Sequence, residues 1–171
     1  QGTDRLGHLP TSSATATPTT ICNGDTSALS VTGGSLGTGA NWKWFTLSCG
    51  GTPAGTGTII SVYPNDTTTY YVRAEGSCNS TACVNVTLNV NLIAAAPVSN
   101  DTSSCGIPVP PLTASGTNPK WYKNPALDTV VFTGSPFNTG NTLAGIYTYY
   151  VTDSVNGCTS PATTVTLSIN S

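Results

Sequence analysis

The chain has 171 residues, of which 37% are hydrophobic and only 7% charged, with a net charge of −2. That hydrophobic fraction with so little net charge excludes a disordered polyelectrolyte. The five cations, scattered at Arg5, Lys43, Arg73, Lys120 and Lys123, form no basic stripe and argue against a nucleic-acid partner. No apolar run approaches the ~20 residues that a membrane-spanning helix needs.

Residues 1–16 are rich in Gly, Ser and Thr and are predicted to form an extended arm. Short β-branched or aromatic runs follow at 26–32, 42–47, 59–63, 69–74 and 84–90, separated by Gly, Pro, Asn and Asp. A short apolar linker occupies 92–97. The scheme then returns with strand signals at 111–115, 120–123, 129–133, 147–152 and 163–169. No segment sustains a helical period, so helix is not expected.

The two halves say nearly the same thing. Thr69-Tyr70-Tyr71-Val72 before Gly76-Ser77-Cys78 returns as Thr148-Tyr149-Tyr150-Val151 before Asn156-Gly157-Cys158. Trp44-Phe45 returns as Trp121-Tyr122, and Cys22 with Leu29 returns as Cys105 with Leu112. An offset of about 80 residues is too long for a solenoid and right for a small domain. The fold class predicted is all-β: two tandem immunoglobulin-like sandwiches over 17–93 and 94–171, preceded by the arm at 1–16. The order within each half supports it, with a Trp on the third strand and a Tyr pair on the strand before the last hairpin.

Cys22-Asn23-Gly24-Asp25, Trp42-Lys43-Trp44, Cys49-Gly50-Gly51-Thr52-Pro53, Thr67-Thr68-Thr69-Tyr70-Tyr71-Val72-Arg73-Ala74 and Gly76-Ser77-Cys78-Asn79 carry a resemblance. The chain is similar to the Ig-like modules repeated in secreted surface proteins and adhesins of the Bacteroidota. The likeness covers 17–91 well and 97–170 more loosely, since 123–142 departs from the Gly-Gly-Thr-Pro stretch. The resemblance implies secretion across an outer membrane. The complete absence of Met, initiator included, predicts that Gln1 is a processed or trimmed end.

Chemistry is hard to find. Of the seven acids, Asp4, Asp25, Asp66, Asp101, Asp128 and Asp153 sit in turn-like contexts where short side chains bond their own backbone; only Glu75 does not. A Ser/His/Asp triad would require the single His, His8, which stands in an arm that reads as unstructured. The Gly-rich stretches lack the Lys of a phosphate loop, and no Cys spacing fits structural zinc. No enzyme activity, cofactor or metal is therefore expected. Trp44 and Trp121 read as core. Phe45 and Tyr122 have the opposite strand parity, so they face outward, either covered or free to stack on a sugar. Asp66-Thr67-Thr68, Asp128-Thr129-Val130 and Asp153-Ser154-Val155 resemble the O-glycosylation sequence of the Bacteroidota, which makes Thr67, Thr129 and Ser154 candidate glycan sites.

Six Cys with no CxxC pair read as disulfides in an oxidising compartment, so Cys22, Cys49, Cys78, Cys83, Cys105 and Cys158 are all expected to be oxidised. In the Ig strand order, Cys22–Cys49 and Cys78–Cys83 are natural pairs. Bridging Cys22 to Cys78 would span a strand of roughly 20 Å, against a Cα separation of about 6 Å. Cys105 and Cys158 meet the same objection although no other Cys lies in their half. Either the order differs near the first strand, or sulfurs pair between modules or chains. Connectivity stays open.

The resulting expectation is a non-enzymatic extracellular structural protein, part of a cell-surface filament or adhesin. Its partners would be copies of itself, with Leu6, Leu9 and Pro10 of the arm as assembly contacts laid on a neighbour's sheet edge. The alternative is a glycan-binding accessory module that takes surface glycans.

Overall fold

The computed structural model describes residues 13–77 and 79–171. The chain divides into two units, Gln1–Asn91 and Leu92–Ser171, and each is a sandwich of two β layers.

In the first unit the strands are β1 (Ser13–Thr17), β2 (Thr20–Cys22), β3 (Ser27–Thr32), β4 (Asn41–Thr46), β5 (Thr52–Thr56), β6 (Ile59–Val62), β7 (Thr68–Glu75) and β8 (Val84–Asn91). One sheet has the order β1-β3-β6 and the other β2-β8-β7-β4-β5. The chain changes sheets between β1 and β2, at Pro18. Proline has no N–H to give to a ladder, and the Pro18 carbonyl accepts instead from the buried Ser27 hydroxyl at 2.7 Å. β1 is antiparallel to β3, whereas β2 is parallel to β8.

The last residues of the extended arm expected over 1–16 are instead part of the first module. Residues 13–16 belong to β1 and pair within their own module, Ala16 opposite Leu29. The inward residues are small: Ala16 is buried in the core and Ala14 packs against it. A period-2 strand written in Ala and Thr has the weak hydrophobic contrast that reads as a polar tail. Leu6, Leu9 and Pro10 lie outside the described residues.

The second unit comprises β9 (Thr102–Cys105), β10 (Lys120–Tyr122), β11 (Val130–Thr133), β12 (Gly145–Thr152), β13 (Ser154–Val155), β14 (Cys158–Thr159) and β15 (Thr163–Asn170). Its large sheet has the order β11-β10-β12-β15-β9, with β9 parallel to β15 as β2 is to β8. The facing layer is reduced to bridges, Ser99 with Ala114 and Leu112 with Phe137. β13 and β14 form a hairpin turned by Asn156 and Gly157, both at positive φ, the geometry that a two-residue turn demands.

The cores repeat. Leu29, Trp44, Val72 and Leu88 are fully buried in the first unit, as are Leu112, Trp121, Val151 and Leu167 in the second. Trp44 pairs with Val72 and Trp121 with Val151. Truncating such side chains to Ala costs about 2–5 kcal/mol each, so these alternating inward positions define each module.

Candidate functional site

Charged side chains converge at one place in the first unit, on the outer face of its large sheet. On β4, Trp42 and Trp44 point into the core, so Lys43 and Phe45 point out. On β7, Tyr71, Arg73 and Glu75 point the same way. Register places Lys43 opposite Arg73 and Asn41 opposite Glu75. Glu75 is thus a diagonal neighbour of Lys43, within reach of a long side chain. Lys43 Nζ donates to Glu75 Oε1 at 2.9 Å, and Arg73 Nε and Nη2 both donate to Oε2, at 3.2 and 3.0 Å. Two cations share one carboxylate. Their hydrogen bonds, that from Lys43 first and those from Arg73 second, hold the Glu75 carboxyl below its ordinary value. The Arg73 guanidinium also lies over the Phe45 ring, 5.1 Å from its centroid.

A loop folds back over this cluster. After β4 the chain turns sharply, with Leu47 and Gly50 at positive φ and Ser48 N–H bonded to the Thr46 carbonyl at 2.9 Å. A Cβ on Gly51 would stand 2.6 Å from the Thr46 carbonyl oxygen, so only glycine lets the backbone pass there. The fold-back carries Cys49 over Arg73, whose Nη1 lies 3.8 Å from Cys49 Sγ. Cys49 is bonded to Cys83, with a Cα–Cα distance of 5.9 Å. Between loop and sheet is a cleft of about 410 Å³ lined by Lys43, Phe45, Gly51, Pro53, Arg73 and Glu75, among others.

Chemically, this arrangement is a clamp. Glu75 is ionised and engaged by both neighbours, so it is a poor general base, and among the described residues no His, Cys, Asp or Glu groups converge as metal ligands. The second unit lacks the cluster: Thr152 and Ser154 stand where Arg73 and Glu75 do, and Ala162 where Cys83 does. Its own buried acid is Asp153, which ends a loop rather than flanking a cleft. Asp153 Oδ2 accepts from Thr117 N–H at 3.0 Å and Oδ1 from Asn118 N–H at 2.6 Å. Burial pushes this carboxyl up, but the backbone N–H bonds outweigh it and the net shift is downward. A Cβ on Gly116 would meet the Asp153 carboxyl carbon at 2.7 Å.

Several expectations need correction. Cys22–Cys49 and Cys78–Cys83 are not the pairs formed. Cys49 does not return to the end that holds Cys22, because its loop doubles back across the sheet to Cys83. Cys78 is outside the described residues. Cys22, at the end of β2, and Cys158, in β14, are disulfide-bonded. Cys105 is an exposed free thiol, contrary to the expectation that every Cys is oxidised. It pairs with Asn170 at the far end of β15, while Cys158 precedes Thr163 at the near end, roughly 25 Å away at strand rise.

The three glycan candidates are not brought together. Thr67 and Thr129 are exposed and Ser154 is half-buried. The Thr67 hydroxyl accepts from Val90 N–H at 3.0 Å, Ser154 accepts from Asn118 Nδ2 at 3.3 Å, and Thr129 bonds the Asp128 carboxylate. Phe45 and Tyr122 face outward as their parity predicts, yet both are buried. His8 lies outside the described residues. Sequence reasoning missed the Lys43–Glu75–Arg73 cluster. The signal was there, in a run with Arg and Glu two apart on one strand.

A family model for the Ig-like domain described as CHU_C associated matches the chain twice, over residues 10–91 and 94–170. No curated protein is significantly similar to the chain. Among solved structures, similarity extends to the complex of a mouse coronavirus receptor-binding domain with its murine receptor, at 11% identity over 91% of this chain and 97% of that one, TM-score 0.41. The Ig1-2 module of the Drosophila receptor protein tyrosine phosphatase DLAR follows at 13% identity, 95% and 96% coverage and TM-score 0.30. The N-terminal four Ig domains of Dscam1 isoform 1.9 give 12% identity over 96% of this chain and 46% of theirs, TM-score 0.32.

Proposed function

Because the chain belongs to that family of Ig-like domains, one copy in each module, we propose that it is a non-enzymatic extracellular structural protein that works by associating with copies of itself. The Cys49–Cys83 disulfide supports an oxidising compartment. The ionisable groups support a structural role, since Glu75, Asp101 and Asp153 each hold a strand or loop in place.

One observation carries the self-association. β11 is an edge of the large sheet of the second unit, and all of its residues are exposed, Val130, Val131 and Phe132 among them. An edge strand offers unpaired N–H and C=O groups to another strand, and proteins commonly guard such edges with charge, proline or bulges. β11 has no charge and no proline, although its register against β10 shifts at Val131, a bulge-like irregularity. The equivalent edge of the first unit, β5, carries Pro53 and Gly55 and has no apolar run of its own. Pairing of β11 with the same strand of a second copy would satisfy both edges and cover the apolar side chains.

Light scattering over a concentration series tests this. The intact chain should grow in mass with concentration, and Val131→Lys, which places a charge on the edge, should keep it monomeric. A native chain that stays monomeric throughout, or a V131K chain that assembles equally well, overturns the proposal.

A further inference from the structure

A second feature of the first unit is independent of β11. Between the edge strands β5 and β6, which belong to opposite sheets, lies a cleft of about 280 Å³ lined by Thr46, Pro53, Ser61, Tyr63, Pro64 and Tyr70, with Ala54 and Val62. Tyr63 is 75% exposed, the most exposed aromatic ring described. Tyr70 is its opposite, a core residue only 5% exposed, whose phenol is pushed up by burial. No group among the described residues bonds the Tyr70 hydroxyl. It is not one of the buried atoms left without a partner, so it opens on the cleft, where water or a ligand can meet it.

The second unit fills the equivalent place with its own side chains. Tyr149 is the counterpart of Tyr70. Its hydroxyl accepts from Asn141 Nδ2 at 2.7 Å, and its ring meets Phe137 edge-on, with centroids 5.4 Å apart. Phe137 faces Leu112 across the layer, as Ile60 faces Leu29 in the first unit. The first unit has an aliphatic residue for the Phe and nothing for the Asn. The same fold therefore fills and satisfies the position in one module and leaves it open in the other.

We propose that this cleft binds one ring of a neutral sugar, a hexopyranose at the end of a glycan. No charged side chain lines it, which disfavours acidic sugars and charged peptides. Its volume falls just under the range of ligand pockets, about 300–1,000 Å³, and suits one ring rather than a chain. The exposed face of Tyr63 can stack on the apolar face of a pyranose. The Tyr70, Thr46 and Ser61 hydroxyls both donate and accept, as sugar hydroxyls do. A proline-rich peptide could stack on Tyr63 too, but its tertiary amides only accept. The site does not rest on self-association, because the edge variant V131K leaves every one of these residues in place.

The test is saturation-transfer NMR on the intact chain, with methyl glycosides of glucose, galactose and mannose as probes. Transfer to ring protons of at least one is expected. It should be abolished by Tyr63→Ala, a change at an exposed side chain that leaves the melting curve in place. Tyr70→Phe, which keeps the ring and removes only the unpaired hydroxyl, should weaken binding about tenfold without loss of thermal stability. The inference is overturned if none of the three glycosides binds, if both variants bind as the native chain does, or if a proline-rich decapeptide binds through Tyr63 while the glycosides do not.

Discussion

Trp121 donates its indole N–H to the carbonyl of Gly134, 13 residues on, at 2.9 Å, and Trp44 makes the same bond to Gly57 over the same span at the same distance. Both glycines have positive φ, and both donate their own N–H to the residue two before the Trp: Gly57 to Trp42 at 2.9 Å and Gly134 to Pro119 at 2.7 Å. The stretch 123–142 keeps no trace of the Gly-Gly-Thr-Pro sequence, yet it preserves this closure. Trp121→Phe keeps an aromatic ring, removes the donor and opens a small cavity around it. It should destabilise the second module by about 2–3 kcal/mol, seen as an early transition in urea unfolding with the first module's transition unmoved.

The Cys49–Cys83 bond closes a loop with a sequence separation of 34. The chain-entropy account gives about 3–4 kcal/mol for a loop of that length. The Cys49→Ser, Cys83→Ser double variant should lower the stability of the first module by that amount in denaturant titration. It should also make the 47–51 loop a site of limited proteolysis.

Asp153 should make the second module sensitive to acid. Its folded-state carboxyl lies below the ordinary 3.8, since the N–H bonds of Thr117 and Asn118 outweigh the upward push of burial. A depressed carboxyl contributes stability that is fully present above the ordinary value and is lost as pH falls through the folded one. Melting temperature should therefore drop below about pH 4. Asp153→Asn should flatten that limb while costing about 1–3 kcal/mol at neutral pH.

Cys105 should react with iodoacetamide in the native protein, because it is an exposed thiol. Peptides containing Cys49, Cys83 and Cys158 should become labelled only after reduction. Peptide mapping by mass spectrometry reads both outcomes.

The strands visible in the sequence were those with β-branched or aromatic runs, β3, β4, β6, β7, β8, β10, β11, β12 and β15. β1 was hidden because its inward residues are Ala, and β9 because Thr-Ser-Ser-Cys offers no apolar contrast. β5 was hidden by Pro53 and Gly55, which an edge strand tolerates and a central one does not. The reverse error came at 111–115, read as a strand and reduced to isolated bridges, where Pro110 and Pro111 withhold two donors. The sites were less legible than the fold. Lys43 and Glu75 are far apart in the chain and meet only through register, and Cys49 reaches Cys83 only through a backward turn at Leu47, Gly50 and Gly51. No local pattern records either.

The parallel pairing of β2 with β8, and of β9 with β15, has a mechanical consequence. In each module the strand near the entry runs alongside the strand at the exit and in the same direction. When the two ends of a module are drawn apart under tension, such strands slide against each other lengthwise. Their hydrogen bonds are then loaded together instead of being unzipped one after another. Three register pairs resist in the first module, Thr20 with Asn89 through Cys22 with Asn91, and four in the second, Leu167 with Thr102 through Asn170 with Cys105. A module so wired holds its shape under a pull far better than its modest length of pairing would suggest.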